Sequence, residues 1–148
     1  MNTQPSFEEL LRLFEENEVC YLIVGGYALA FHGHPRFTKD IDIFYEKTID
    51  NIENVRRALV EFGFAESELT DDLFEEGNIV KFGVEPVRID LLNEIDGVSF
   101  KEALDGSVAG SFGSVKTRFI GREELIKNKR VSDRPQDTVD VDTLEGPD

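Results

Sequence analysis

Three aspartates carry the chemistry this sequence can offer. Asp40 and Asp42 open one apolar run, Asp40-Ile41-Asp42-Ile43-Phe44-Tyr45, and Asp90 stands inside another, Val87-Arg88-Ile89-Asp90-Leu91-Leu92. Alternate residues of a strand face opposite sides. Asp40 and Asp42 therefore point one way, and Ile41 and Ile43 the other. Two carboxylates side by side repel, and neither ionises comfortably without a cation. Such a pair at the mouth of a strand suits a magnesium-binding phosphoryl-transfer site. Asp90 has Ile89, Leu91 and Leu92 around it, which implies burial, where a lone carboxylate is costly. Its plain alternative is a salt bridge to Arg88, set against the opposite facing of adjacent strand residues.

Other residues gather around the pair. Gly25-Gly26 ends the apolar run Tyr21-Leu22-Ile23-Val24. Glycines let a backbone approach a phosphate closely, and amides at a following helix start can face its charge; a simple strand-to-helix turn is the bland reading. Arg36 and Thr38 lie just before the acidic pair, placed to touch phosphate or to orient Asp42, although Arg36 could equally pair with an acidic neighbour. His32 and His34 do not share a helical face, and no Cys or third His accompanies them, so they read as loop histidines edging the pocket. Asp137, Asp140 and Asp142 lack the Gly and distal Glu of a calcium loop and read as a solvated acidic helix.

The elements that must position these residues follow from periodicity. Ser6 and Glu9 have capping-box spacing, and Phe7, Leu10, Leu11 and Phe14 recur at helical intervals, predicting a helix from 6 to about 17. Tyr21 to Val24 is a short buried strand, Tyr27 to His32 a short helix, and Ile41 to Tyr45 a second strand. Ile52, Val55, Leu59 and Phe62 mark an amphipathic helix from Asp50, ended by Gly63. Glu66 to Gly77 reads as a surface loop. Asn78 to Val84 and Val87 to Leu92 form a hairpin turning at Glu85-Pro86. A second capping-box spacing, Ser99 to Glu102, starts a helix to Leu104. Gly106 to Ser114 reads as a mobile loop, Val115 to Ile120 as a strand, and Glu123 to Arg130 as a helix with Leu125 and Ile126 inward. A last short helix runs from Pro135 to Leu144. The hairpin among alternating strands and helices predicts an α+β fold, a mixed sheet with helices packed mainly on one face. Residues 1–148 are expected to form a single domain, with a short helical or frayed acidic tail from about 131.

Composition narrows the class. Hydrophobic residues make up 40% and charged residues 32%, as expected of a soluble globular protein. No run has the length of a membrane span, and MNTQPSFEEL lacks the basic start and apolar stretch of a signal peptide. One cysteine, Cys20, fits a reducing cytoplasm and reads as a buried core thiol. With 31 acidic against 16 basic residues and a net charge of −15, the chain repels phosphate backbones, so nucleic acid is not an expected partner without a basic subunit. The field suits a cationic small molecule or a basic protein; solubility alone is the plain alternative.

Gly25-Gly26, then Gly33-x-x-Arg36-x-Thr38-x-Asp40-Ile41-Asp42, then Asp90, then Leu125-Ile126-x-x-Lys129 with Arg134, Asp137 and Asp140 beyond, resembles the DNA polymerase beta-like nucleotidyltransferase superfamily. Within it the chain is most similar to minimal nucleotidyltransferases, abortive-infection type IV toxins and antibiotic nucleotidyltransferases. The resemblance implies transfer of a nucleoside monophosphate from an NTP, ATP among the candidates, to an acceptor hydroxyl with release of pyrophosphate. It implies one or two Mg2+ ions held by Asp40, Asp42 and Asp90, with Asp90 also helping to activate the acceptor. Gly25, Gly26, Arg36, Thr38 and Lys129 would bind the nucleotide, Lys127 being an alternative to Lys129. The acceptor would be a small molecule or a protein, as in a toxin–antitoxin pair, and a homo-oligomer is compatible with either. The rival reading is an inactive nucleotidyltransferase-fold binding module, an antitoxin or scaffold.

Overall fold

The structure, a computed structural model, describes residues 5–34, 40–83, 88–132, 141 and 144. Arg36, Thr38, the turn at Glu85-Pro86, Arg134, Asp137, Asp140 and most of the helix expected from 135 to 144 lie outside the described residues. The chain runs α1 (Pro5–Glu16), β1 (Tyr21–Val24), α2 (Gly25–Phe31), β2 (Asp40–Tyr45), α3 (Ile49–Phe62), β3 (Ile79–Phe82), β4 (Arg88–Leu92), α4 (Phe100–Asp105), β5 (Val108–Phe112), β6 (Val115–Phe119) and α5 (Arg122–Val131). The strands form one mixed sheet in the order β3-β4-β2-β1-β6-β5. β1 pairs antiparallel with β2, β2 parallel with β4, and β3 antiparallel with β4. The expected α+β class and mixed sheet are present.

The two faces of the sheet do different work. Tyr21, Ile23, Ile43 and Tyr45 share one face, because Tyr21 pairs with Tyr45 and Ile23 with Ile43. Helices α1 and α2 pack here: Phe14 meets Tyr21 edge-on, Phe7 meets Tyr27, and Phe31 stacks on Phe119 at 4.0 Å. α3 packs against α1. Burying Phe7, Leu10, Leu11 and Phe14 completely contributes about 1.5–3 kcal/mol per side chain. The opposite face carries Leu22, Val24, Asp42 and Phe44; α4 covers part of it through Phe100 on Phe44.

α1 begins at Pro5, one residue ahead of Ser6, so Ser6 lies inside the first turn rather than capping it; proline suits that first position. The second capping box forms as expected: Ser99 Oγ accepts from Glu102 N at 3.1 Å and Glu102 Oε1 accepts from Ser99 N at 3.3 Å. Gly25-Gly26 starts α2 rather than preceding it. Among the described residues, no helix is long and apolar enough to cross a membrane.

Three expectations are corrected. Gly106 to Ser114 is no loop: β5 pairs with β6 from Val108↔Phe119 to Phe112↔Val115. Its small residues suit a packed strand, since a Cβ on Gly110 would stand 2.5 Å from the Phe31 ring. Glu66 to Gly77 contains two 3-10 turns, Glu66–Glu68 and Asp71–Phe74, and buries Leu69 and Phe74. Cys20 is exposed. It lies one residue before β1, where its backbone N–H and C=O are held by Asn51 Oδ1 and Nδ2 at 2.7 and 3.0 Å while its thiol is left outside.

Candidate active site

Asp42 and Asp90 meet because β2 and β4 run parallel in register, Asp40 beside Arg88 and Asp42 beside Asp90. Register partners share a sheet face, so the three aspartates and Arg88 all lie on the face away from α1. Asp90 is 9% exposed, as its apolar neighbours imply. Arg88 and Asp90 are two residues apart rather than adjacent, and so face the same way. Arg88 Nε stands 3.4 Å from Asp90 Oδ1 and 3.8 Å from Asp40 Oδ2. The salt bridge weighed against a ligand role is therefore present in this conformation.

Gly25 is shaped around Asp42. Its φ is +70°, a left-handed value, and a Cβ there would stand 2.2 Å from Asp42 Oδ2. Only glycine allows both the turn and the carboxylate's approach. Tyr27, two residues on, has its phenol pushed up first by burial and then by the charge of Asp40.

A cleft of about 510 Å³ opens beside Asp42 and Asp90, and Asp40 is not among its lining residues. Val24, Gly25, Asp42 and Asp90 line it, with Lys81 from β3 and Asn128, Lys129 and Ser132 at the end of α5. Beyond β4 it is walled by Ile79, Leu92, Glu94, Ile95 and Asp96. Two links set α5 over this face: Lys127 Nζ donates to Glu102 Oε2 at 2.7 Å, and Asn128 Nδ2 donates to the Asp96 carbonyl at 2.9 Å. Lys129 thus reaches the cleft, only 5% exposed. Lys127 turns to Glu102 on α4 instead and does not line the cleft. His32 and His34 do not edge the cleft. His32 Nε2 lies 2.7 Å from the Ile120 carbonyl, which can only accept, so the ring donates and ties α2 to the end of β6.

Lys81, Glu94, Asp96, Asn128 and Ser132 were not singled out from the sequence. Lys81 was within reach: the hairpin places it opposite Asp90, on the carboxylate face.

The donor set fits a hard divalent cation, since carboxylate oxygens are the ligands Mg2+ prefers. Among the described residues, however, no group of three His, Cys, Asp or Glu is drawn together tightly enough to hold an ion as the side chains stand.

Residues 3–145 match the model of a family described as nucleotidyl transferase of unknown function (DUF2204). No curated protein matches the chain. Among solved structures, the fold is similar to lincosamide antibiotic adenylyltransferase LnuA in its lincomycin-bound form, with TM-score 0.58, 16% identity and coverage of 99% of both chains. It is also similar to a Thermotoga maritima protein provisionally assigned as a nucleotidyltransferase, with TM-score 0.57, 13% identity and coverage of 97% of this chain and 92% of the other. The family match spans nearly the whole chain, and the chain belongs to this nucleotidyl transferase family.

Proposed function

We propose that the protein transfers a nucleoside monophosphate from an NTP to the hydroxyl of a small cationic acceptor, with Asp40, Asp42 and Asp90 as its ion-holding carboxylates. The observation that carries this is the in-register pair Asp42–Asp90 opening, beside Gly25 and Lys129, onto one cleft. When bound by Asp40, Asp42 and Asp90, Mg2+ would supply charge neutralisation for the triphosphate. Gly25 leaves room for Asp42 at the turn, and Lys129, Arg36 and Thr38 are assigned to the phosphates. Asp90 draws the proton from the acceptor hydroxyl. The acceptor oxygen then bonds to the α-phosphorus in line as the α–β anhydride breaks and pyrophosphate leaves. Most of the rate enhancement in this scheme comes from positioning and charge neutralisation.

The acceptor half of the reading rests on the outer cleft, where Asp96, with Glu94 already paired to Lys47 Nζ at 2.8 Å, stands beside Ile79, Leu92 and Ile95. Such a wall suits an amine on an apolar body. A structural neighbour of matching length holds lincomycin, so a chain of this size needs no added domain to accommodate a small acceptor. The charge of −15 also suits a basic protein of the toxin–antitoxin kind, and a cleft of about 510 Å³ has the size of a small-molecule site.

Calorimetry with ATP, CTP, GTP and UTP in turn, with and without Mg2+, tests the donor half. One NTP should bind in a metal-dependent way, and Asp42→Asn or Asp90→Asn should abolish it. Well-folded wild type that binds no NTP would leave the binding-module reading standing instead. An acceptor screen read by pyrophosphate release, with lincomycin among the amines, tests the other half; transfer only to a protein would overturn the small-molecule assignment.

A further inference from the structure

The proposed ion site already contains a cation of the protein's own. Arg88 begins β4, two residues before Asp90 and in register with Asp40 on β2. Its Nε lies between the two carboxylates, 3.4 Å from Asp90 and 3.8 Å from Asp40, with the Arg88 side chain 34% exposed and that of Asp90 12% exposed. A guanidinium cannot lose its proton at any ordinary pH, so this charge stays in place until something displaces it. An ion held by Asp40 and Asp90 together must take the ground that Arg88 occupies, and among the described residues no three carboxylates stand tightly enough to hold one as the side chains lie.

We infer that Arg88 is an internal counter-ion that holds Asp40 and Asp90 apart from a divalent cation and competes with it for them. Its side chain must swing out as the ion enters; partial exposure leaves it a path toward solvent. The device keeps the divalent affinity low before nucleotide arrives and prevents the carboxylates from repelling one another meanwhile. Arg88 is thus a positioning residue, acting through Asp40 and Asp90. The inference rests on the proposed carboxylate site.

Mn2+ titrated without nucleotide, followed by calorimetry and by the electron paramagnetic resonance of the free ion, reads this directly and needs no acceptor. Arg88→Met should tighten Mn2+ binding by roughly tenfold or more, as expected when a like charge a few ångströms away is removed from a half-exposed site. Arg88→Lys keeps a competing charge and should stay near wild type. A general loss of structure would weaken binding in both, so tightening in the Met variant alone is the signature. Unchanged or weaker binding by folded Arg88→Met overturns the inference. Asp42→Asn separates the two levels. Wild-type binding that depends on Asp42, without tightening in Arg88→Met, refutes only the role of Arg88. Binding that ignores Asp42 refutes the carboxylate site, and the inference falls with it.

Discussion

Gly25→Ala tests whether the turn after β1 exists to admit Asp42 or merely to reverse the chain. The residue has φ +70°, and an added Cβ would lie 2.2 Å from Asp42 Oδ2, where ordinary contact begins at 3.4 Å. Going from 2.2 to 3.4 Å requires the carboxylate or the turn to retreat by about 1.2 Å. The left-handed backbone alone costs an alanine about 1–2 kcal/mol. A displacement of that size at reacting groups can lower the transfer rate by about a hundredfold. Gly63→Ala separates strain from displacement, because Gly63 has φ +134° and nothing within 4 Å of its would-be Cβ. Urea unfolding should show Gly63→Ala less stable by about 1–3 kcal/mol from backbone strain, and Gly25→Ala less stable by more, because its Cβ also displaces the Asp42 carboxylate. Mn2+ calorimetry and NTP-dependent pyrophosphate release should show only Gly25→Ala impaired. If Gly25→Ala binds Mn2+ as tightly as wild type while losing no more stability than Gly63→Ala, the glycine serves the turn alone and the reasoning is refuted.

Three further outcomes follow from the packing. Asn51→Ala should destabilise the fold by about 2–4 kcal/mol in urea unfolding, since it strands the Cys20 N–H and the Glu46 carbonyl and leaves the Cys20 carbonyl with the Glu46 N–H alone; a loss under about 1 kcal/mol would mean that water replaces the amide. Burial raises the phenols of Tyr21, Tyr27 and Tyr45 above the ordinary 10.0, so the folded state holds these protons more tightly than the unfolded chain. That stability is fully present below pH 10 and is lost as pH rises through the folded values; phenolate absorbance should therefore appear together with alkaline unfolding, and gradual ionisation of a still-folded protein near pH 10 would contradict it. Cys20, exposed but with its thiol raised by partial burial and then by Glu46, should be alkylated by iodoacetamide without denaturant, more slowly than a free thiol; protection until unfolding would put it back in the core.

What the sequence made legible was local. Tyr21 to Val24 and Asp40 to Tyr45 announce themselves through apolar residues at their own positions, and their period-two alternation fixes which side Asp40 and Asp42 face. The hairpin of β3 and β4 was equally local, but the parallel pairing of β4 with β2 that brings Asp90 beside Asp42 was not. The errors lie where a residue's environment comes from far along the chain. Asn51 looks like a surface residue of an amphipathic helix, yet it is 4% exposed because its amide matches backbone groups of Cys20 and Glu46. Asn93, beyond β4, is 2% exposed for the same reason: Nδ2 donates to Tyr45 Oη and to the Phe74 and Glu75 carbonyls, and Oδ1 accepts from Gly77 N. That one side chain holds down the segment read as a loose acidic loop. β5 was missed because Val-Ala-Gly-Ser-Phe offers almost no alternation; only the partner strand and the ring of Phe31 make small residues the right ones there.

The charge of the chain looks paradoxical for an enzyme whose donor substrate is itself an anion, and the cleft shows how the two are reconciled under the proposed function. An NTP arriving alone meets Asp42, Asp90, Glu94 and Asp96, with Lys81 and Lys129 as the positive side chains among the cleft's lining residues. That balance repels a triphosphate. The carboxylates, were they to hold a divalent cation, would have their charge neutralised and the local sign changed. Arg88 lies between Asp40 and Asp90, and under the inferred competition the cation alone would be a poor ligand as well. Neither ion nor nucleotide is then well held without the other, so the ion–nucleotide pair is the species the site selects. Under the same proposal, the acidity that discourages nucleic acid as an acceptor would leave Asp96, beside the apolar wall of the cleft, to favour an amine.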